Sequence, residues 1–122
     1  MSIPDQQYVP EWLARRAADR PDAPAVIEAG GAWWTYAELD HRASAVAHSL
    51  REASVSRGDR VAALLTNGPP YVALVHGLIR LGAVLVPLNL RLAPPELAWQ
   101  IALSGARILI HDERTEGQAH SL

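Results

Sequence analysis

Residues 83–91 read "AVLVPLNLR" and change character midway. A Val/Leu run bounded by Gly82 and Pro87 predicts a short strand over 83–87, covered on both faces as strands of parallel sheets are. In open α/β sheets, ligands bind outside the carboxyl ends of such strands. Asn89 and Arg91 fall at that position.

Outward from this stretch the pattern repeats. On the amino-terminal side, Asn67 is suited to cap a helix that starts at Pro69-Pro70, carries Tyr71, Leu74, Val75, Leu78 and Leu81, and closes at Gly82. Its apolar girth predicts deep packing. Before it, "RVAALLT" reads as a buried strand entered through the turn Ser56-Arg57-Gly58-Asp59. On the carboxyl side, Pro94-Pro95-Glu96 opens a helix through Leu97 and Ile101, and "ARILIHD" is a third buried strand. Strand, helix, strand, helix, strand with short connections predicts an α/β fold, a parallel sheet of βαβ units with flanking helices.

The first third differs. "AVIEAGGAWWT", residues 25–35, predicts a small amino-terminal hairpin turning at Gly30-Gly31. Successive strand residues face opposite sides, so Trp33 and Trp34 cannot share one core. Thr35-Tyr36-Ala37-Glu38 is a capping box. Behind it, Tyr36, Leu39, Ala43, Val46, Ala47 and Leu50 form one apolar stripe, with Glu38 and Arg42 spaced as a surface i,i+4 pair. A short helix over 8–19, with Pro10 at its first turn, is expected to bury Trp12, Leu13 and Ala17 before Pro21 stops it. Residues 113–122 lack an apolar period and are expected to fray. Three parallel strands leave an unpaired edge and a bare face, so 1–122 is expected to be the opening segment of a larger domain, and the bare face favours self-association into a homo-oligomer.

Bulk composition narrows the function. The chain has 122 residues and is 49% hydrophobic, enough for a core. A formal net charge of -2 provides no basic field for nucleic acid or an anionic membrane. No stretch is long and apolar enough to span a bilayer, and "MSIPDQQYVPEW" lacks the pattern of a secretory signal, so a cytoplasmic setting is expected. Cysteine is absent, and all 11 Lys+Arg positions are arginine. Chemistry that needs a lysine must come from elsewhere.

No phosphate-cradling G-x-x-x-x-G-K-[ST] or G-x-G-x-x-G loop is present. The histidines at 41, 48, 76, 111 and 120 lack ligand spacing, and no metal site is expected. His111-Asp112 also lies at a strand exit. No catalytic residue can be nominated. Asn89 and Arg91 admit two readings. Arg91 can grip a phosphate through bidentate, charge-assisted bonds, or it is a surface arginine pairing with a neighbouring carboxylate, with Asn89 holding a turn.

Together, "VPEWLARRAADRPDAPAVI", "WTYAELDHRASAVAHSLRE", "RGDRVAALLTNGPPYVALVHGLIRLGAVLVPLNLRLAPPELAWQI" and "SGARILI" resemble the amino-terminal region of AMP-forming acyl-CoA synthetases, the adenylate-forming superfamily. The likeness runs in order from about Val9 to Ile110. Within it, "GAVLVPLNLRLAPPELAWQIALSGAR" looks most like 2-succinylbenzoate-CoA ligases of menaquinone synthesis. The resemblance implies that a small-molecule carboxylate attacks ATP, with magnesium, to give an acyl-adenylate, and that coenzyme A then displaces AMP. It also implies the remainder of the adenylate-forming domain and a mobile carboxy-terminal domain as partners. Arg91, in Asn89-Leu90-Arg91-Leu92, matches an arginine that contacts a coenzyme A phosphate in some relatives, with Asn89 in support.

The family's lysine-bearing nucleotide loop, ribose-binding aspartate and catalytic lysine have no counterpart here, so these residues alone are expected to be inactive. At Ala93, relatives commonly carry Thr or Ser, and loss of that cap should weaken the helix by about 0.5–2 kcal/mol. Two other classes stay open, an adenylation domain that loads a carrier protein and a non-catalytic binding module on the same fold. A downstream Ser/Thr/Gly-rich loop ending in Pro-Lys-Gly would mark the enzyme.

Overall fold

The computed structural model describes residues 11–31 and 33–122. Helix α1 (Trp12–Asp19) precedes a hairpin of β1 (Pro24–Ile27) and β2 (Trp33–Thr35), and α2 (Tyr36–Glu52) follows. Then come β3 (Arg60–Leu64), α3 (Pro69–Leu81), β4 (Val84–Pro87), α4 (Pro94–Ser104), β5 (Ile108–His111) and α5 (Glu116–His120). The last three strands form a parallel sheet in the order β4-β3-β5, with Val61 opposite both Leu85 and Ile108. The hairpin is a separate antiparallel sheet whose turn uses Gly30 and Gly31 at φ 109° and 122°, open to glycine but strained for other residues.

Strand β3 is the axis of the molecule. Val61, Ala63 and Leu65 join Leu50 of α2 and Leu74 and Leu78 of α3 on one face, while Ala62 and Leu64 join Leu97 of α4 and Leu88 on the other. This alternation is the period of two that a pleated strand imposes. A third cluster, Leu13, Leu39, Ala43 and Ala73, fills the angle between α1, α2, α3 and the hairpin. Fully burying a leucine such as Leu13 or Leu64, both 0% exposed, contributes roughly 1.5–3 kcal/mol.

Strand β4 is an edge strand with Val84 46% exposed, yet Leu85 packs on the face of α2 and α3 and Val86 on the face of α4, so the expected cover on both faces holds at its middle, less completely than in β3. A local run of Val and Leu does not say which strand becomes central. Two other expectations are corrected here. Trp12 lies exposed across the buried imidazole of His76, ring centroids 5.1 Å apart, and Ala17 is half-buried, so α1 buries Leu13 alone. The first residues of that expected helix, Tyr8 and Pro10, lie outside the described residues. Arg42 does not pair with Glu38. Its guanidinium sits 4.4 Å from the centre of the Trp34 ring, while Glu38 Oε2 accepts from the Thr35 amide at 2.8 Å in the capping box. The ring offers a cation–π partner, and the box already occupies the carboxylate.

Trp34 is half-buried and Trp33 exposed, as opposite strand faces require. Helix α3 starts without Asn67, since Gly68 is its cap residue and no side chain caps it. Its end is as expected, with Gly82 left-handed at φ 68°. At α4, Glu96 Oε2 accepts from the Ala93 amide at 3.0 Å, and since Ala93 has no side-chain oxygen the Glu96 amide donates instead to the Ala93 carbonyl at 3.0 Å. That is half of a capping box.

Candidate functional site

All three strands of the parallel sheet point the same way, so their carboxyl ends share one edge. Thr66 and Asn67 follow β3, Leu88 and Asn89 follow β4, and His111 and Asp112 end and follow β5. This edge is where the strand rule locates a ligand, and it divides into a clamp and a presented loop.

The clamp centres on Asp112. Its Oδ2 accepts from the Thr66 amide at 2.9 Å and the Thr66 hydroxyl at 2.7 Å, and its Oδ1 accepts from the Thr115 amide at 3.0 Å. The Thr66 hydroxyl and amide, helped by Thr115, hold the carboxyl at about 2, against burial that would raise it. Thr115, 2% exposed, donates its hydroxyl to the Leu64 carbonyl at 2.6 Å and accepts from the Asp112 amide at 3.0 Å. Residues 113–122, expected to fray for want of an apolar period, are thereby tied to the central strand by polar bonds and run into α5. His111 touches the clamp only through its Nδ1, 3.3 Å from the Asp112 carbonyl. Its exposed ring meets the edge of His120, centroids 5.9 Å apart.

The loop spans residues 88–93. Leu88 is buried, and its amide extends the parallel ladder to the Ala63 carbonyl at 3.0 Å. Asn89 Oδ1 accepts from the Arg91 amide at 2.9 Å, and the Asn89 carbonyl accepts from the Leu92 amide at 3.1 Å. Asn89 therefore holds the turn through its own side chain, as asparagine does in Asx turns. Leu90 and Leu92 are half-buried against the α4 side of the sheet, and Arg91 between them is exposed. Arg91 enters none of the ion pairs found among the described residues, which join Arg80 to Glu11 and Asp40, and Arg107 to Asp59. Both site residues read from the sequence are thus on one loop, with Asn89 shaping the backbone and Arg91 turned to solvent.

A groove beside the clamp is lined by Glu28, Trp34, Thr66, Tyr71, Asp112 and Arg114 among others. Burial pushes the Tyr71 hydroxyl above its ordinary value. Sequence reading missed Thr66 and Thr115, because a lone threonine carries no periodic or motif signal. The Asp112 strand exit was the available pointer.

A family model for AMP-binding enzymes matches residues 13–122. A feruloyl-CoA synthase from Amycolatopsis sp is 48% identical over 105 residues, which cover 86% of this chain and 21% of that protein. A 2-succinylbenzoate–CoA ligase from Geobacillus kaustophilus is 40% identical over 109 residues, 89% of this chain and 22% of that protein. Among solved structures, a Mycobacterium tuberculosis fatty acyl CoA synthetase matches with a TM-score of 0.85 at 33% identity, covering 91% of this chain and 22% of that one. The o-succinylbenzoate coenzyme A synthetase of Bacillus subtilis, in complex with ATP and magnesium ion, matches with a TM-score of 0.81 at 34% identity, covering 88% and 29%. The chain spans about a fifth of the length of the curated relatives it matches.

Proposed function

The chain belongs to the AMP-binding enzyme family, and on that premise we propose that it is the amino-terminal segment of an AMP-forming carboxylate–CoA ligase. The observation that carries this is the unbroken family match over 13–122, joined to a parallel βαβ sheet whose carboxyl edge presents an exposed arginine. The larger enzyme would activate a carboxylate with ATP and magnesium, and coenzyme A would supply the thiol that accepts the acyl group.

Magnesium–ATP does not fit a site built from these residues alone. The chain has no lysine, and among the described residues no group of three His, Cys, Asp or Glu side chains is placed to hold an ion. The nucleotide chemistry belongs to the remainder of the domain and to the carboxy-terminal domain.

What this segment would contribute is Arg91, whose planar guanidinium suits a coenzyme A phosphate. Its support is local, since the Asn89 side chain sets the backbone at Arg91 and no carboxylate competes for the guanidinium among the described residues. In the complete ligase, Arg91→Ala should raise the Michaelis constant for coenzyme A about tenfold or more, the scale of a lost charged hydrogen bond, with a smaller effect on that for ATP. An unchanged constant for coenzyme A would remove Arg91 from the site.

For the acid, the likeness of residues 82–107 favours 2-succinylbenzoate. The higher identity of a feruloyl-CoA synthase, 48% against 40%, favours ferulate as the second reading. Pyrophosphate exchange by the complete enzyme with each acid in turn separates them.

A further inference from the structure

Helix α5 reaches the loop that carries Arg91 by one side-chain hydrogen bond, beside the packing of Ala119 against the cluster that holds Leu88. Gln118 Nε2 donates to the Leu90 carbonyl at 3.0 Å, across 28 positions of sequence. The other fixed points of the loop are the Leu88 amide on β3, the Asn89 side chain on the Arg91 amide, the Asn89 carbonyl on the Leu92 amide and Glu96 on the Ala93 amide. Of the side-chain bonds among these, only that of Gln118 comes from outside the loop and the helix it feeds. Gln118 is half-buried, and the helix carrying it is anchored by the Thr115 hydroxyl on the Leu64 carbonyl and by Ala119 packed beside Leu64 and Leu97. The peptide unit between Leu90 and Arg91 is thus pinned from both sides, its carbonyl by Gln118 and the Arg91 amide by Asn89.

We infer that Gln118 is a positioning residue for Arg91, holding the Leu90–Arg91 peptide so that the guanidinium meets its phosphate without first having to be ordered. This rests on the proposed contact between Arg91 and coenzyme A. Losing the bond leaves the exposed arginine chemically intact and adds an ordering cost to binding, which weakens affinity about two- to tenfold.

The test is titration of coenzyme A into the complete ligase as wild type, R91A, Q118A and the double variant. Gln118→Ala should weaken coenzyme A about two- to tenfold, and should add nothing once Arg91 is gone, because it acts through that side chain. In the 122-residue chain, amide exchange at Arg91 and Leu92 should quicken in Q118A while exchange in β3 holds. If R91A binds coenzyme A like wild type, the phosphate contact fails and the inference falls with it. If R91A is weakened but Q118A is not, the positioning role alone is overturned. Equal weakening by Q118A with and without Arg91 also overturns it, since that is the mark of a general structural defect.

Discussion

Gly77 lies where α3 crosses α2, and a Cβ built there would sit 2.7 Å from Val46 Cγ1 and 3.2 Å from the Ala43 carbonyl. Helix propensity alone favours alanine over glycine by about 1 kcal/mol, while overpacking a tight helix contact costs about 1–3 kcal/mol. Packing should win, because one of the opposing atoms is backbone and cannot swing away. Gly77→Ala should lower stability by about 1 kcal/mol, and the loss should shrink in a Val46→Ala background, measured as a double-mutant cycle in urea. Asp112 makes a pH prediction. Its carboxyl is depressed from 3.8 to about 2, so the unfolded chain takes up the proton first as pH falls. Its stabilising contribution is full above 3.8 and is lost as pH falls toward about 2. Asp112→Asn should lower the melting temperature near neutral pH and flatten its fall within that acid window. Burial also lowers the His76 value, against Glu11, so its own destabilising protonation begins in a separate, higher window below 6.5.

Among the elements, the start of α1 is tied to its neighbours by a single arginine beside the packing of Leu13. Arg80 of α3, with its side chain 16% exposed, pairs through Nη2 with Glu11 at 3.2 Å and with Asp40, and donates through Nη1 to the Asp40 carbonyl at 2.9 Å and the Ser44 hydroxyl at 2.6 Å. Glu11 is itself the cap of α1, accepting from the Ala14 amide at 3.2 Å. One guanidinium therefore joins the start of α1 to α2 and α3, a fork geometry that a lysine cannot reproduce. Arg80→Ala should cost about 1–3 kcal/mol, between the values for exposed and buried pairs. Amide exchange in α1 should quicken before that of β3, and Arg80→Lys should restore less than half of the loss. None of this was legible in advance, since Glu11 and Arg80 lie 69 positions apart. The capping box at Thr35, the glycine stop at Gly82 and the turn at Gly58 were legible, because each is decided by neighbours a few residues away.

At the scale of the molecule, the chain presents apolar surface that its own elements leave uncovered. Trp99 and Leu103 on α4 are 63% and 69% exposed. The chain also carries no lysine to stabilise charge developing on phosphate. Purified 122-residue chain should release no AMP from ATP with either 2-succinylbenzoate or ferulate. Sustained AMP release from a clean preparation would overturn the assignment of the nucleotide chemistry to other segments.

Periodicity and punctuation in the sequence by themselves determined the order of elements from α1 to β5, the parallel βαβ architecture and the loop holding Asn89 and Arg91, because hydrophobic period, caps and glycine stops act within a few residues. Only the tertiary structure decided that β3 and not β4 is central, that Arg42 lies over Trp34, and that Thr66, Asp112 and Thr115 close into one clamp. The centrality of β3 and the bond from Thr66 to Asp112, 46 positions on, depend on which distant segments reach the same place, and the Arg42 contact on how α2 sits against the hairpin, which neither pattern nor propensity encodes.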